Sequence, residues 1–375
     1  MRVVLYTETF LPKIDGIVRV VCLTLEHLHR HGITTALVAP DQGMREYMGA
    51  RVIGVPCIVN PVYPEGRIGL PNPLTLRAVR AFRPDLMHVF HPAMIGMAGV
   101  LFGKRLGVPI LSSFHLDIAH MATFYKMHLL GAILRRTVRW GFNQSQYALA
   151  PSRLVQQKML KDGVKRVGLW RRGVNADHFH PSHFDPQTRA ELSAGHPEDK
   201  ILLYVGRLAP EKQIEQIRPV LERVPGTRLA LVGGGPHREA LEQHFQGLPV
   251  TFVGYRTGAS LARAFASADM FVFPSAYESF GLVLLEAMAS GIPAISSRVG
   301  GAQDLVVEGE TGFTFAVDDV EALVQSVGQV VNTLGKLDQM KVKARQQGER
   351  FSWETIMDEL VGCYESVIRG EPPRI

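Results

Sequence analysis

Short apolar runs alternate with longer amphipathic segments along the first part of the chain. Val3–Tyr6, Thr35–Val38, Ala50–Val55, Leu86–Phe90 and Ile110–Phe114 are unbroken enough to predict strands buried on both faces. Helical spacing predicts helices over Ile17–Arg30, Thr75–Phe82 and Ala93–Leu106, with a loop at Thr7–Gly16 and a Pro-rich stretch at Pro56–Pro73. The alternation stops in a polar, His- and Pro-rich interval, Asn175–Lys200, which reads as a linker. It restarts at Ile201–Val205, Arg228–Val232, Val250–Val253, Met270–Phe273 and Ala294–Ser296, five strands each followed by a helical segment. Strand–helix alternation at this spacing implies βαβ units and parallel sheets, so the predicted class is α/β with two doubly wound domains. Ligands of such sheets bind beyond the carboxyl ends of the strands, and a cleft shared by two domains is the expected site. A last helix near Trp353–Arg369 cannot be placed from its pattern.

Bulk properties narrow the class. A chain of 375 residues exceeds the size at which one core keeps growing. Its 46% hydrophobic and 20% charged residues are ordinary for a soluble protein, and no apolar run approaches the roughly 20 residues that span a bilayer. Met1–Tyr6 reads as a strand and not as a signal peptide. Cys22, Cys57 and Cys363 lack metal-ligand spacing and suit a reducing compartment, so a cytoplasmic location is expected. A net charge of +6 and a pI of about 9.3 fit nucleic acid, an anionic membrane or a phosphorylated small molecule. With no zinc spacing, RNP-like motif or long basic run, nucleic acid ranks last.

Two motifs carry candidate chemistry. In Val205-Gly206-Arg207-Leu208-Ala209-Pro210-Glu211-Lys212 a strand ends at glycine, and two cations follow before a helix. A guanidinium fork and an ammonium at a strand's carboxyl end suit a diphosphate; the alternative is a solvated loop with two cations. In Pro274–Glu286, Glu278 and Glu286 flank a strand-to-helix turn containing Gly281. The N–H groups and dipole of a helix starting near Phe280 suit phosphate. Glu278 could accept bonds from sugar hydroxyls. Glu286, among Leu284, Leu285, Ala287 and Met288, is a carboxylate in apolar surroundings that is rarely idle and could hold a ribose diol.

Together, Gly206-Arg207…Lys212 and Glu278-x7-Glu286 resemble the retaining glycosyltransferase family 4, of GT-B fold, in which two Rossmann-like domains face each other across a cleft. The resemblance runs from Thr7-Glu8-Thr9-Phe10-Leu11-Pro12 to Gly312-Phe313. It implies that Arg207 and Lys212 bind a donor diphosphate, Glu278 the sugar and Glu286 the ribose. Ser279, Phe280, Gly281 and Leu282 would add donor contacts. It further implies an acceptor-binding domain at 1–175, a nucleotide-sugar-binding domain at 176–352, and a helix at 353–375 crossing back to the first domain. In the first domain, Gly16 follows Asp15 where a backbone amide can approach a phosphate, and His115 matches the family's histidine beside the reacting sugar. Family members retain anomeric configuration, with the departing phosphate as the favoured base, so neither a carboxylate nucleophile nor a metal or other cofactor is expected. Asp318-Asp319 read as a loop or helix cap.

Finer likeness divides between two groups. Thr7–Gly16, Leu169-Trp170-Arg171-Arg172-Gly173-Val174 and Gly233–Leu241 resemble sulfoquinovosyldiacylglycerol synthases, whereas His115-Leu116-Asp117 departs from their His-Thr-His and Asp117-Ile118-Ala119 resembles GDP-mannose-dependent mannosyltransferases. Both act on lipids. The expected function is therefore transfer of sulfoquinovose from UDP-sulfoquinovose to diacylglycerol. The alternatives are mannosyl transfer from GDP-mannose to a glycolipid and, from other classes, a nucleotide-sugar epimerase or a non-catalytic nucleotide-sugar-binding protein. Across Met121–Phe142, His128, Arg135 and Arg139 share one helical face with Arg136 adjoining, and Met127, Leu130, Leu134 and Val138 line another. Such a helix either lies on the anionic inner face of a membrane or is an ordinary surface helix with solvated cations. Asp117, Lys126, Arg135, Arg136 and Arg139 are the acceptor or membrane candidates. Lys13 is the candidate cation for a sulfonate.

Overall fold

The computed structural model describes every residue except Ile14, 60–66, 116–127, Ser279 and 374–375, and only the backbone of 128–130. Two compact units emerge, one formed by Met1–Arg171 with Glu354–Ile375 and the other by Arg172–Trp353.

The first unit holds β1 (Arg2–Thr7), β2 (Thr34–Pro40), β3 (Glu46–Tyr47), β4 (Ala50–Val55), β5 (Cys57–Val59), β6 (Arg67–Gly69), β7 (Leu86–Phe90), β8 (Ile110–Ser113), β9 (Tyr147–Ala150) and β10 (Val167–Leu169). Eight of these form one sheet in the order β10-β9-β8-β7-β1-β2-β4-β3, parallel except for the short β3–β4 pair. Val3, Val4, Leu5, Leu37, Val38 and Val89 are fully buried. The central strands are covered on both faces, which is why they read as unbroken apolar runs. β5 and β6 form a separate antiparallel pair inside the stretch expected to be Pro-rich loop.

The second unit holds β11 (Lys200–Val205), β12 (Thr227–Val232), β13 (Val250–Gly254), β14 (Met270–Phe273), β15 (Ala294–Ser297) and β16 (Gly312–Phe315). They form one parallel sheet in the order β13-β12-β11-β14-β15-β16. The sixth strand, β16, was not among the five expected.

The interval Asn175–Lys200 is not a linker. Phe179 and Leu192 are buried in the second unit's core, and the helix Pro186–Leu192 is tied down by Arg189. Arg189 bonds the carbonyls of Pro197, Asp199 and Ser267 and pairs with Asp269 at 2.9 Å. Polar composition here reflects a surface helix anchored by one arginine, and the units divide earlier, after Arg171.

From Glu354 onward, the helix Trp353–Ile368 belongs to the first unit. Met357, Leu360 and Tyr364 are buried, and Trp170 donates through Nε1 to the Ile356 carbonyl at 3.2 Å. At its outer end Glu354 and Asp358 meet His27, Arg30 and His31 of the helix Gly16–Arg30 and the turn after it.

Candidate functional site

Each sheet has one place where successive connections leave in opposite directions. In the second unit it lies between β11, which continues to β12 on one side, and β14, which continues to β15 on the other. Such a switch point opens a crevice at the carboxyl ends of the strands. Arg207 and Lys212 follow β11, Glu278 follows β14, and Lys212 spans the crevice to Glu278 with Nζ and Oε2 3.2 Å apart. The ammonium also lies 5.1 Å from the centre of the Phe273 ring. Both charged side chains are largely but not wholly buried, so an anion entering the crevice would meet a weakly hydrated cation. Arg207 is different. Half exposed, it pairs with Glu211 at 2.5 Å, while the Tyr204 hydroxyl donates to its carbonyl at 3.0 Å. The structure thus brings Lys212 and Glu278 together and leaves Arg207 at the rim on a carboxylate that a bound diphosphate would have to replace.

Glycines set the loop positions. A Cβ on Gly233 would stand 2.0 Å from the Gly206 carbonyl oxygen, and one on Gly235 2.2 Å from that of Leu208, so the loops after β11 and β12 meet backbone to backbone. The Glu278 loop is held from both sides. Ala276 N–H donates to the Glu211 carbonyl at 2.9 Å, and Ser297 Oγ donates to that of Ser275 at 2.5 Å. Gly300, at φ +53°, leaves room for the Glu278 carbonyl oxygen 2.7 Å from where a Cβ would be, and Gly301 N–H donates to the Phe280 carbonyl. The Gly300-Gly301 pair went unremarked in the sequence, although a double glycine after a strand signals a turn.

The helix Leu282–Ala289 begins after Gly281, which sits at φ +90° and offers no side chain to cap it. Its first N–H groups are therefore left without a side-chain cap, at the place where Gly281 and Leu282 were expected to add donor contacts. Phe280 is buried beneath the turn and Glu286 is buried on the helix. Ser279 lies outside the described residues.

In the first unit the switch point lies between β1 and β7. Here the helix Gly16–Arg30 is not open to phosphate as a whole. Asp15 Oδ1 accepts from Ile17 N–H at 3.0 Å and Val18 N–H at 2.9 Å, so the helix carries its own carboxylate. Gly16 itself faces open space, with no atom within 4 Å of a Cβ placed there. Lys13 is no isolated cation for a sulfonate, because it pairs with Asp15 at 3.0 Å. Across the crevice Glu8 receives Ile95 N–H at 3.1 Å and Gly96 N–H at 2.9 Å at the start of the helix Ile95–Leu106. Burial raises its carboxyl to about 7 against the opposing pull of these amides. The sequence reading noted Glu8 only within a motif.

His115 follows β8 and is nearly buried, stacked on Phe90 with ring centres 4.8 Å apart. Its Nε2 lies 2.8 Å from Ser113 Oγ, which lies 2.9 Å from His88 Nε2; His88 Nδ1 in turn lies 2.6 Å from the Tyr364 hydroxyl. Nothing in local spacing announces this chain, since His88 and Tyr364 are far apart in sequence.

On the helix His128–Gln144, Arg135, Arg136 and Arg139 are exposed, while Leu134 and Val138 are half-buried. Arg139 donates to the Asp162 carbonyl at 3.4 Å. The same helix exposes Ile133 and Trp140, which the expected apolar face had not included. Asp117 and Lys126 lie outside the described residues. No helix among the described residues is long and apolar enough to cross a membrane.

Among the described residues two groups of side chains approach metal-binding spacing, and the fuller one is His27, His31, Glu354 and Asp358. Arg30 already occupies the cation's place there, with its guanidinium 3.0 Å from Glu354 and beside His27. Burial and the neighbouring His31 lower the pKa of His27. The cluster works as an ion-paired clasp between two helices.

The family described as "Glycosyltransferase Family 4" matches residues 14–178, and that described as "Glycosyl transferases group 1" matches residues 188–347. The GDP-mannose-dependent alpha-mannosyltransferase of Mycolicibacterium smegmatis is 34% identical over 376 residues, covering 98% of each chain. Sulfoquinovosyl transferase SQD2 of Arabidopsis thaliana is 32% identical over 337 residues, which are 88% of this chain and 66% of that protein. The structure of Anabaena Alr3699/HepE in complex with UDP superimposes with a TM-score of 0.78 at 18% identity, covering 98% of this chain and all of that one.

Proposed function

Because the chain belongs to glycosyltransferase family 4, and is a glycosyltransferase of GT-B fold, we propose that it moves a sugar from a nucleoside diphosphate to a membrane lipid with retention of configuration. The observation that carries the donor reading is the Lys212–Glu278 pair at the switch point of the second unit, beside an uncapped helix start. On binding, the diphosphate takes Lys212 and the first amides of the helix Leu282–Ala289, and draws Arg207 from Glu211. Glu278 turns to the sugar hydroxyls and Glu286 to the ribose, the roles the family resemblance implies.

As the glycosidic bond breaks, charge grows on the leaving phosphate, and fixed cations and amides stabilise that state more than the ground state. The same phosphate takes the acceptor's proton. Lys212 and Arg207 fill the role a divalent ion has elsewhere, so chelation of metal leaves the rate unchanged. For His115 and Gly16 the family resemblance implies donor contacts.

The leading donor and acceptor are UDP-sulfoquinovose and diacylglycerol, supported by the likeness to SQD2. UDP is also the nucleotide in the HepE complex. The second reading, mannose from GDP-mannose to a glycolipid, is favoured by a relative that aligns over nearly its entire length. Peripheral attachment to the inner face of the membrane is supported by Arg135, Arg136, Ile133 and Trp140, a basic and aromatic surface of the kind that settles at lipid headgroups. The test is purified protein with UDP-sulfoquinovose, UDP-glucose or GDP-mannose and anionic liposomes containing diacylglycerol or a glycolipid, read by mass spectrometry of the lipid. Sulfoquinovosyldiacylglycerol is the expected product. Product from GDP-mannose alone selects the second reading, donor conversion without acceptor points to epimerisation, and no lipid product from any pairing removes the lipid claim.

A further inference from the structure

In the first unit, the helix Gly16–Arg30 and the C-terminal helix from Glu354 onward meet through side chains that the functional reading does not use. His27 lies in the last turn of one helix and His31 is its C-cap, while Glu354 and Asp358 lie in the first turns of the other. Spacing of four residues puts each pair on one helical face, and the two carboxylates so placed repel unless a cation joins them. One ligand atom from each of the four side chains lies within 4.8 Å of the others.

The group has two chemically distinct sides. On one, Arg30 serves as the cation, with its guanidinium 3.0 Å from Glu354 Oε2 and 3.5 Å from His27 Nδ1. On the other, Asp358 Oδ1 stands 3.1 Å from His27 Nε2 and 3.8 Å from His31 Nε2. His27 is only 1% exposed, yet its Nε2 makes no hydrogen bond among the described residues. A buried ring nitrogen left that way is costly unless something else takes its lone pair or its proton. His31 is oriented from behind. Its Nδ1 lies 2.9 Å from the His27 carbonyl oxygen, which only accepts, so Nδ1 carries a proton and Nε2 is the nitrogen turned to Asp358. Metal-binding histidines are commonly held so, by a carbonyl on the ring nitrogen that does not ligate. Burial and the neighbouring His31 also lower the pKa of His27, which favours the neutral ring a metal needs.

We propose that His27 Nε2, His31 Nε2, Asp358 and Glu354 form a structural site for a first-row divalent ion, best matched by Zn²⁺, and that Arg30 is the side chain the ion displaces. Two imidazoles and two carboxylates suit a borderline ion with four tetrahedral ligands at about 2.0–2.2 Å, whereas Mg²⁺ and Ca²⁺ take oxygen ligands. His27 is fixed by burial, while His31, Glu354 and Asp358 are exposed and close onto the ion by side-chain rotation. Arg30 is more than half exposed, and its pair with Glu354 is a surface ion pair that contributes little. Swinging the guanidinium into solvent therefore frees Glu354 at small cost. The ion ties the C-terminal helix to the first helix of the unit. It acts on stability and not on the chemistry, since none of its ligands is a donor or acceptor candidate.

The experiment is calorimetric titration of Zn²⁺ into the full chain, untagged and stripped of metal with a chelator, with Co²⁺ as a spectroscopic probe. One equivalent of Zn²⁺ should bind and raise the thermal midpoint by about 5 °C at saturation, and Co²⁺ should show the visible bands of a tetrahedral site. His31→Gln and Asp358→Asn, both at exposed positions, should each weaken Zn²⁺ at least about tenfold, with circular dichroism unchanged in the absence of metal. Arg30→Gln should tighten binding several-fold by removing the competing cation, an effect that mere loosening of the helix contact would not produce. His196→Gln probes the other close group, His196, Glu198 and Asp199 of the second unit, and should leave the affinity as it was. The proposal is overturned if the unaltered chain binds no Zn²⁺, or if His31→Gln and Asp358→Asn leave its affinity intact. It is equally overturned if His196→Gln abolishes binding or if Arg30→Gln fails to tighten it. All of these readings are taken without turnover, so they stand or fall apart from the transfer of any sugar.

Discussion

The two units place opposite chemistry at the same point of their sheets. At the second unit's switch point an ammonium meets a carboxylate beside a helix start with no cap, and glycines bring the surrounding loops into backbone contact. At the first unit's switch point a carboxyl sits on one helix start, through Glu8, and a second carboxylate, Asp15, caps another. One unit has left its positive ends open to a visiting anion; the other has filled them from its own chain. The difference teaches that a shared architecture supplies the anion site only where the chain declines to cap it.

The largest effect that would break this contrast comes from the second unit. Lys212→Ala and Glu278→Gln should each lower kcat about 10²–10³-fold, the usual cost of removing one group that stabilises developing charge. Circular dichroism should show both variants folded, because Lys212 and Glu278 cross a crevice and lie outside the strand core. Arg207→Ala should act more through donor KM, since its guanidinium starts on Glu211 and reaches the diphosphate only on binding. A Lys212→Ala variant with near-normal turnover would mean that the open helix start is not where the diphosphate sits.

A smaller effect sharpens the first unit's side. Glu8 is held near 7, above its unfolded value of roughly 4.3. Between those values the folded state keeps a proton that the unfolded state has lost. The stability that protonation confers is thus complete below the unfolded value and drains away as pH rises through about 7. At about 1.4 kcal/mol per pH unit, the loss by pH 8 is at most about 4 kcal/mol, and less to the extent that solvent reaches the carboxyl. Glu8→Gln cannot ionise. Urea midpoints at pH 4.5 and pH 8 should differ less in this variant than in the unaltered protein; an unchanged difference would mean that Glu8 is ionised in the fold at all these values.

Legibility in the sequence followed the same physical divide. β1, β7, β11 and β14 were plain because strands covered on both faces are unbroken apolar runs. β9, Tyr147-Ala148-Leu149-Ala150, was missed because its alanines carry little strand preference, and β10 because Val167-Gly168-Leu169 is too short to form a pattern. β16 opens with Gly312 and ends its sheet, half-exposed at Phe313 and Thr314, so it lacks the apolar run of its neighbours. Within the site, Arg207, Lys212, Glu278 and Glu286 stood out because charge at the end of an apolar strand is conspicuous. The resemblance added which of them act together. His88 and Tyr364 did not stand out, since a histidine inside a strand and a tyrosine on an amphipathic helix both read as core, and only the fold shows that they touch.

The finest test compares two tyrosines in matching positions. Tyr6 lies near the end of β1 and Tyr204 near the end of β11, each on the first strand of its unit and each fully buried. The Tyr204 hydroxyl donates to the Arg207 carbonyl at 3.0 Å, which fixes the turn carrying the site's guanidinium. The Tyr6 hydroxyl has no hydrogen-bond partner among the described residues, and its ring lies against Gly99, where a Cβ would come within 2.7 Å. Removing a bonded hydroxyl strands its partner, whereas removing an unbonded one relieves a desolvated donor. Tyr204→Phe should therefore cost about 1 kcal/mol and raise donor KM a few-fold, while Tyr6→Phe should be neutral or stabilising by up to about 1 kcal/mol. Urea melts of the two single variants, measured together, decide it. Equal losses would show that the Arg207 turn is held by the loop contacts at Gly206, Gly233 and Gly235 alone, and that the hydroxyl in the second unit has no more work than the one in the first.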